Sequence, residues 1–165
     1  MPQMTDPFAA LESFQEALAN DALYLRPGTI DRKLFLYVDH PNGSTRRFTY
    51  VRLDRRTVTA LVMFVPVEPI EGVPCFQIGC AVPERYRRQG RAKDIIVAAI
   101  AELENGLTRN GVPAFYIEAV VGTHNEPSMR VAAATISNSP VHIIDQVSGL
   151  PALQYVLKVD KDKAA

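Results

Sequence analysis

Val82-Pro83-Glu84-Arg85-Tyr86-Arg87-Arg88-Gln89-Gly90-Arg91-Ala92 is the stretch that decides the fold. An apolar run from Phe76 to Val82 leads into it, and a long amphipathic run from Ala92 to Leu107 leads out. The order is strand, basic glycine-bearing loop, helix. The first amides of such a helix have no helical carbonyl to bond, and the positive end of the helix dipole points the same way. Arginines at 85, 87, 88 and 91 add formal charge. Together these predict a cradle for a phosphate or pyrophosphate. The competing reading is a solvated basic helix start, but like charges at a positive helix end cost stability unless an anion offsets them.

Upstream, Asp6-Pro7 is a helix start, a capping residue followed by proline at the first helical position. Phe8, Leu11, Phe14 or Gln15, Leu18 and Ala22 then recur at helical spacing, and Pro27-Gly28 closes the segment. Strand-like runs follow at Leu34 to Asp39, Arg46 to Leu53 and Thr57 to Val67, with turns at Pro41 to Ser44 and Asp54 to Arg56. The third run is apolar almost throughout, which predicts a central strand buried on both faces, ended by Pro66 and Pro69. Glu68 to Pro74 is expected to be a loop, and Cys75 to Val82 a fourth strand completing an antiparallel meander.

Downstream, Ala92, Ile95, Ile96, Ala99, Ile100, Leu103 and Leu107 form one apolar helical stripe, stopped by Asn110-Gly111. Ala114 to Val121 is a fifth strand, parallel to the fourth because a helix crosses between them. A helix from Pro127 to about Ile136 and a terminal hairpin, Val141 to Val147 with Ala152 to Val159, complete the chain before a frayed tail.

The 165 residues are expected to form a single domain, long enough to bury a full core, with residues 160–165 as tail. The apolar fraction of 47% and charged fraction of 22% are those of a soluble globular protein. A formal net charge of zero argues against bulk attraction to nucleic acid. No apolar run is long enough to span a membrane, and Met1 to Phe8 lacks a basic-then-apolar leader pattern. Cys75 and Cys80 lie five apart, so on one strand they face opposite ways, which disfavours a disulfide or a shared metal site. Two unpaired cysteines suggest a reducing, cytoplasmic setting.

Arg87-x-x-Gly90-x-Ala92, preceded by Val82-Pro83 and Tyr86, resembles the acyl-CoA pyrophosphate loop of the GCN5-related N-acetyltransferases, the GNAT superfamily. Asn125-Glu126-Pro127-Ser128-Met129-Arg130-Val131-Ala132 is similar to that superfamily's second signature and falls after the strand that follows the long helix. The resemblance covers residues 57–159. It implies an α/β (α+β) fold: a mixed, mostly antiparallel sheet of about six to seven strands flanked by helices, splayed between the fourth and fifth strands. It implies acetyl-CoA as co-substrate, with no metal. Backbone groups of Cys80, Ala81 and Val82 would pair with the pantetheine arm. The amides of Arg88, Gln89, Gly90, Arg91, Ala92 and Lys93, with Arg87 and the other arginines, would hold the pyrophosphate. Asn125 would reach the pantetheine amides or fix the loop, and Ser128 would lie near the thioester sulfur.

Acyl transfer to an amine needs a base, oxyanion donors and help for the departing thiolate. The Val82 N–H is the expected oxyanion donor. Glu118, a carboxylate inside the apolar strand Phe115 to Val121, is the first candidate base. His124 is the second. The superfamily often has a tyrosine acid seven residues after the asparagine; here that position is Ala132, which leaves Tyr155 and Ser128 as the available hydroxyls. Tyr155 also fits a core aromatic. Glu68 and Glu71 are weaker candidates for attracting a cationic amine. The resulting expectation is an N-acetyltransferase acting on a primary amine, small molecule or protein, in a ternary complex, with a homodimer compatible. The alternatives are a CoA-binding module without catalysis, which Ala132 favours, and an anion or nucleic-acid module built on Arg85 to Lys93.

Overall fold

The computed structural model describes residues 6–161. Residues 162–165 of the expected tail lie outside that range, as do residues 1–5. The elements run α1 (Pro7–Ala19), β1 (Arg26–Pro27), β2 (Leu34–Asp39), β3 (Arg47–Asp54), β4 (Thr57–Ile70), β5 (Val73–Ala81), a 3₁₀ turn (Glu84–Tyr86), α2 (Arg91–Arg109), β6 (Ala114–Gly122), α3 (Glu126–Thr135), β7 (Val141–Ile144) and β8 (Pro151–Asp160).

One sheet of eight strands carries them, in the order β1-β2-β3-β4-β5-β6-β8-β7. From β1 to β5 every neighbour is antiparallel. β5 and β6 are parallel, as the intervening helix requires, and β8 inserts between β6 and β7. The sheet therefore matches the expected mixed, mostly antiparallel class, with one strand more than the upper expectation. The addition is β1, two residues including a proline, which sits at the sheet's edge where a missing N–H is tolerated.

The parallel ladder is short. It consists of Cys75↔Tyr116, Phe76↔Ile117 and Gln77↔Glu118. β5 runs on to Ala81 and β6 to Gly122, so beyond Gln77 and Glu118 the two strands part. The expected splay is present, and its vertex is that last pair. Behind the vertex, the Phe76 and Phe115 rings meet edge to face at 5.9 Å.

The expected loop from Glu68 to Pro74 is instead a hairpin. β4 continues to Ile70, β5 begins at Val73, and Ile70 pairs with Val73. The two turn residues, Glu71 and Gly72, both have positive φ, 51° and 78°, the geometry that matches strand twist in a two-residue turn. Pro66 and Pro69 do not end the strand. The β3–β4 ladder stops at Phe48↔Phe64, so past that pair one edge of β4 has no partner to lose, and a bulge between Val67 and Ile70 takes up Pro69.

Alternation along the strands sorts side chains onto two faces. On one, α2 and α3 cover Phe64, Phe76, Phe115, Ile117 and Tyr155. On the other, Leu11 and Phe14 of α1 pack on Val51, Leu61, Met63 and Ala81. Asp6 caps α1 by accepting the Phe8 N–H at 3.1 Å. Cys75 and Cys80 are both free and, five residues apart on β5, face opposite ways.

One buried charge went unnoticed in the helical pattern. Glu102 lies on the buried face of α2 and accepts the backbone N–H groups of Thr29 (3.0 Å), Ile30 (2.5 Å) and Asp31 (2.7 Å). The carboxylate is satisfied by three donors of one loop, which ties the long helix to the segment ahead of β2. Gly28 is required beside it, because a Cβ there would stand 2.4 Å from the Asp31 carbonyl and 2.7 Å from Glu102 Oε1.

Candidate functional site

The parallel strands β5 and β6 end at the same side of the sheet, and each leads into a helix N-terminus. A crevice outside the carboxyl ends of parallel strands is where open α/β sheets take ligands. Here the crevice has two parts, a mouth and a vertex.

The mouth on the β5 side is the basic loop. Gly90 caps α2 with φ 73° and no side-chain bond. The first α-helical bond runs from the Asp94 N–H to the Gly90 carbonyl at 3.0 Å, so the amides of Arg91, Ala92 and Lys93 have no helical acceptor. Space beside Gly90 is open: a Cβ built there meets nothing within 4 Å. Arg88 also holds a left-handed backbone, φ 62°. That conformation costs a non-glycine residue about 1 kcal/mol, and such outliers gather at functional loops.

The arginines divide into two kinds. Arg85 and Arg91 flank the Tyr86 ring, their guanidinium carbons 5.0 and 4.9 Å from its centroid. Arg87 is exposed but anchored: its Nε donates to the Val82 carbonyl at 2.9 Å and its guanidinium stacks on Phe8 at 5.0 Å. It locks the loop to the end of β5 and to the first turn of α1.

The mouth on the β6 side is the start of α3. Asn125 caps that helix, its side chain accepting the Ser128 N–H at 3.2 Å. His124 is exposed in the turn just before it. Ala132 is buried in the core beneath the helix, so its place holds an apolar contact and no hydroxyl.

Glu118 sits at the vertex, half-buried, on the face opposite α2 and α3. Its two oxygens each accept an amide proton. Gln154 Nε2 on β8 donates to Oε2 at 2.7 Å, and Gln77 Nε2 on β5 donates to Oε1 at 3.3 Å. Next along β5, Cys75 is buried, and its thiol is pushed up to about 11, first by burial and then by the negative charge of Glu118. Tyr155 pairs with Ala119 and is buried in the core on the other face, away from Glu118.

The sequence candidates therefore separate. Val82 lies five residues beyond Gln77, about 16 Å at strand rise. One carbonyl cannot touch both the Val82 N–H and Glu118. Val82, the basic loop, His124, Asn125 and Ser128 surround the mouth, while Glu118 is at the vertex and Tyr155 is in the core. Gln77 and Gln154 were missed. The signal available was the same one that exposed Glu118, a polar side chain interrupting an otherwise apolar strand. Among the described residues no group of three or more His, Cys, Asp or Glu could hold a metal ion. No described helix is long and apolar enough to cross a membrane.

No protein-family model matches the chain, and no curated protein matches it in sequence. Solved structures do. A GNAT-family acetyltransferase from Streptococcus pneumoniae superposes with a TM-score of 0.51 at 11% identity, over 68% of this chain and 67% of its own. A spermidine N-acetyltransferase chimera from Vibrio cholerae and hSSAT gives 0.48 at 14% identity, over 74% and 70%. A Salmonella typhimurium acetyl transferase that modifies the N-terminal serine of a ribosomal protein gives 0.47 at 19%, over 69% and 64%. The chain has the acyl-CoA N-acyltransferase fold that the Streptococcus pneumoniae protein has.

Proposed function

We propose that the protein is an N-acetyltransferase that passes an acetyl group from acetyl-CoA to a primary amine by direct attack. The observation that carries this reading is the parting of β5 and β6 beyond Gln77 and Glu118. It leaves the β6-side edge of residues 78–81 without a ladder partner, room for one extended chain. That chain would be the pantetheine arm, pairing with backbone groups of Cys80, Ala81 and Val82. Its pyrophosphate would lie on the amides of 88–93 at the mouth, with Arg88 and Lys93 facing solvent to meet it. Asn125 and Ser128 would close the other side of the mouth.

The thioester then reaches the vertex. Glu118 takes a proton from the arriving ammonium, the freed amine nitrogen bonds to the acetyl carbon and gives its second proton to water, and the C–S bond breaks to release the CoA thiolate. The oxyanion donor that can share a carbonyl with Glu118 is a backbone N–H of β5 between Ile78 and Ala81, nearer the vertex than Val82. No tyrosine stands at Ala132 to protonate the thiolate, so water entering from the mouth supplies that proton.

Calorimetric titration with acetyl-CoA tests the donor half, with Gly90→Glu as the variant. The new side chain would fill the open space at the loop, and affinity is expected to fall at least tenfold. Equal affinity in the variant would remove the loop assignment. Ala132 favours one second reading, a CoA-binding module without turnover. Thiol release from acetyl-CoA with spermidine, a lysine peptide and a serine-initiated peptide separates the two: binding with no release from any of them selects the module.

A further inference from the structure

We infer that Gln77 and Gln154 are positioning residues, which hold the Glu118 carboxylate as a fixed, still-charged seat for a protonated primary amine; this rests on the reading of the vertex as the acetyl-transfer site. Three strands meet at this point. Glu118 is on β6, Gln77 is directly opposite on β5, and Gln154 comes from β8 on the other flank. Each carboxylate oxygen receives one amide proton, at 3.3 and 2.7 Å. A carboxylate has about four acceptor positions, so this grip fixes its orientation and leaves capacity for a further donor.

The chemical choice of partner is informative. An arginine or lysine would orient the carboxylate equally well but would cancel its charge. A carboxamide donates a hydrogen bond and brings no charge. The nearest cation on the same face of β8, Lys158, is engaged elsewhere: its Nζ lies 4.0 Å from Asp160 Oδ2 and 5.8 Å from the Tyr116 ring centroid. Among the described residues Glu118 makes no salt bridge, so the vertex presents a negative charge where an amine must arrive, and the ligand chemistry it fits is an ammonium group that gives up a proton on arrival. The Gln77 bond has a second consequence. It spans the two arms of the splay, so the seat for the amine and the wall of the thioester slot are held in one geometry.

The test is steady-state kinetics with the best acceptor among spermidine, a lysine peptide and a serine-initiated peptide, on wild type, Gln154→Leu, Gln77→Leu, Glu118→Gln and the Glu118→Gln/Gln154→Leu double variant. Losing one hydrogen bond to a charged group is expected to lower kcat/KM for the amine by about tenfold to a hundredfold. For Gln154→Leu the KM for acetyl-CoA should stay within about twofold, because neither the mouth nor the β5 wall of the slot is touched. In the Glu118→Gln background, Gln154→Leu should cost less than about twofold, since a residue acting through Glu118 has nothing left to act on. Equal losses from Gln154→Leu with and without Glu118, or wild-type kinetics for both Gln154→Leu and Gln77→Leu, would overturn the inference while leaving the transferase reading in place. Wild-type kinetics in Glu118→Gln would overturn it as well. Absence of turnover in the wild-type protein with all three acceptors would overturn both. If Gln154→Leu does not fold, Gln77→Leu and its cycle with Glu118→Gln carry the same comparison.

Discussion

Arg87 shows why a residue in a matching motif has to be placed before it is given a task. Position 87 aligns with a phosphate-loop signature, yet its side chain bonds the Val82 carbonyl and stacks on Phe8. Arg88, one residue on, is exposed and holds the unusual backbone. Their variants should therefore part company. Arg87→Met is expected to lower the melting temperature, by the few degrees that about 1–2 kcal/mol represents. Arg88→Met should leave melting nearly unchanged and weaken acetyl-CoA binding several-fold in calorimetry, more so at low salt. Glu118→Gln keeps the size of the side chain but removes the proposed base; kcat should fall by about 10²–10⁴ while acetyl-CoA affinity is kept. At this scale the chain was legible where a residue broke a pattern, as Glu118 breaks its strand. It was opaque where the partner comes from another strand, because a glutamine's role depends on what lies beside it in space, and Gln77 and Gln154 are 77 residues apart.

Among the elements, helix and strand identities followed from periodicity, and the misreadings came from proline. Pro66 and Pro69 signal a strand end locally, but their cost depends on whether the edge they occupy has a partner, which is a property of the sheet. The turn that replaced the expected loop offers a direct check. Glu71 occupies the first left-handed position of a Glu-Gly turn, where asparagine is preferred. Glu71→Asn should stabilise the protein by up to about 1 kcal/mol, read as a higher urea midpoint with unchanged slope. The tie between α2 and the loop before β2 predicts the opposite sign. Glu102→Gln replaces a charge-assisted acceptor of three N–H groups and should cost about 1.5–3 kcal/mol. Gly28→Ala should be poorly tolerated, since it drives a methyl group into the Asp31 carbonyl. Glu102 escaped the helical pattern because a carboxylate amid an apolar stripe looks like a position at its border.

For the molecule as a whole, the charge balance of zero conceals local arrangements that titration can reveal. Arg52 bonds both Asp31 (2.8 Å) and Asp94 (3.0 Å), and the Asp31 carboxyl is held below its usual range, chiefly by the hydrogen bond from that guanidinium. A lowered folded value means that the unfolded chain binds the proton more readily. The contribution is thus complete above the ordinary carboxylate value of about 3.9 and is lost as pH falls through the folded one. Arg52→Met should flatten the acid limb of stability measured between pH 2 and 5. The parallel pairing of β5 and β6 was legible because one helix between two strands dictates it, whereas the opening between them was implied by the resemblance. The depth of the opening was not, because where two strands cease to pair depends on packing such as that of Phe76 on Phe115. That short ladder has one more consequence. Residues 6–110 and 114–161 form two leaves joined by three ladder pairs, the contact between α2 and α3, and a shared apolar core. The turn at Asn110-Gly111 is the single covalent thread between them. A chain supplied as two fragments cut at that turn is expected to reassemble, and the proposed acetyl-CoA slot would then be a seam between separate polypeptides, formed only when both are present.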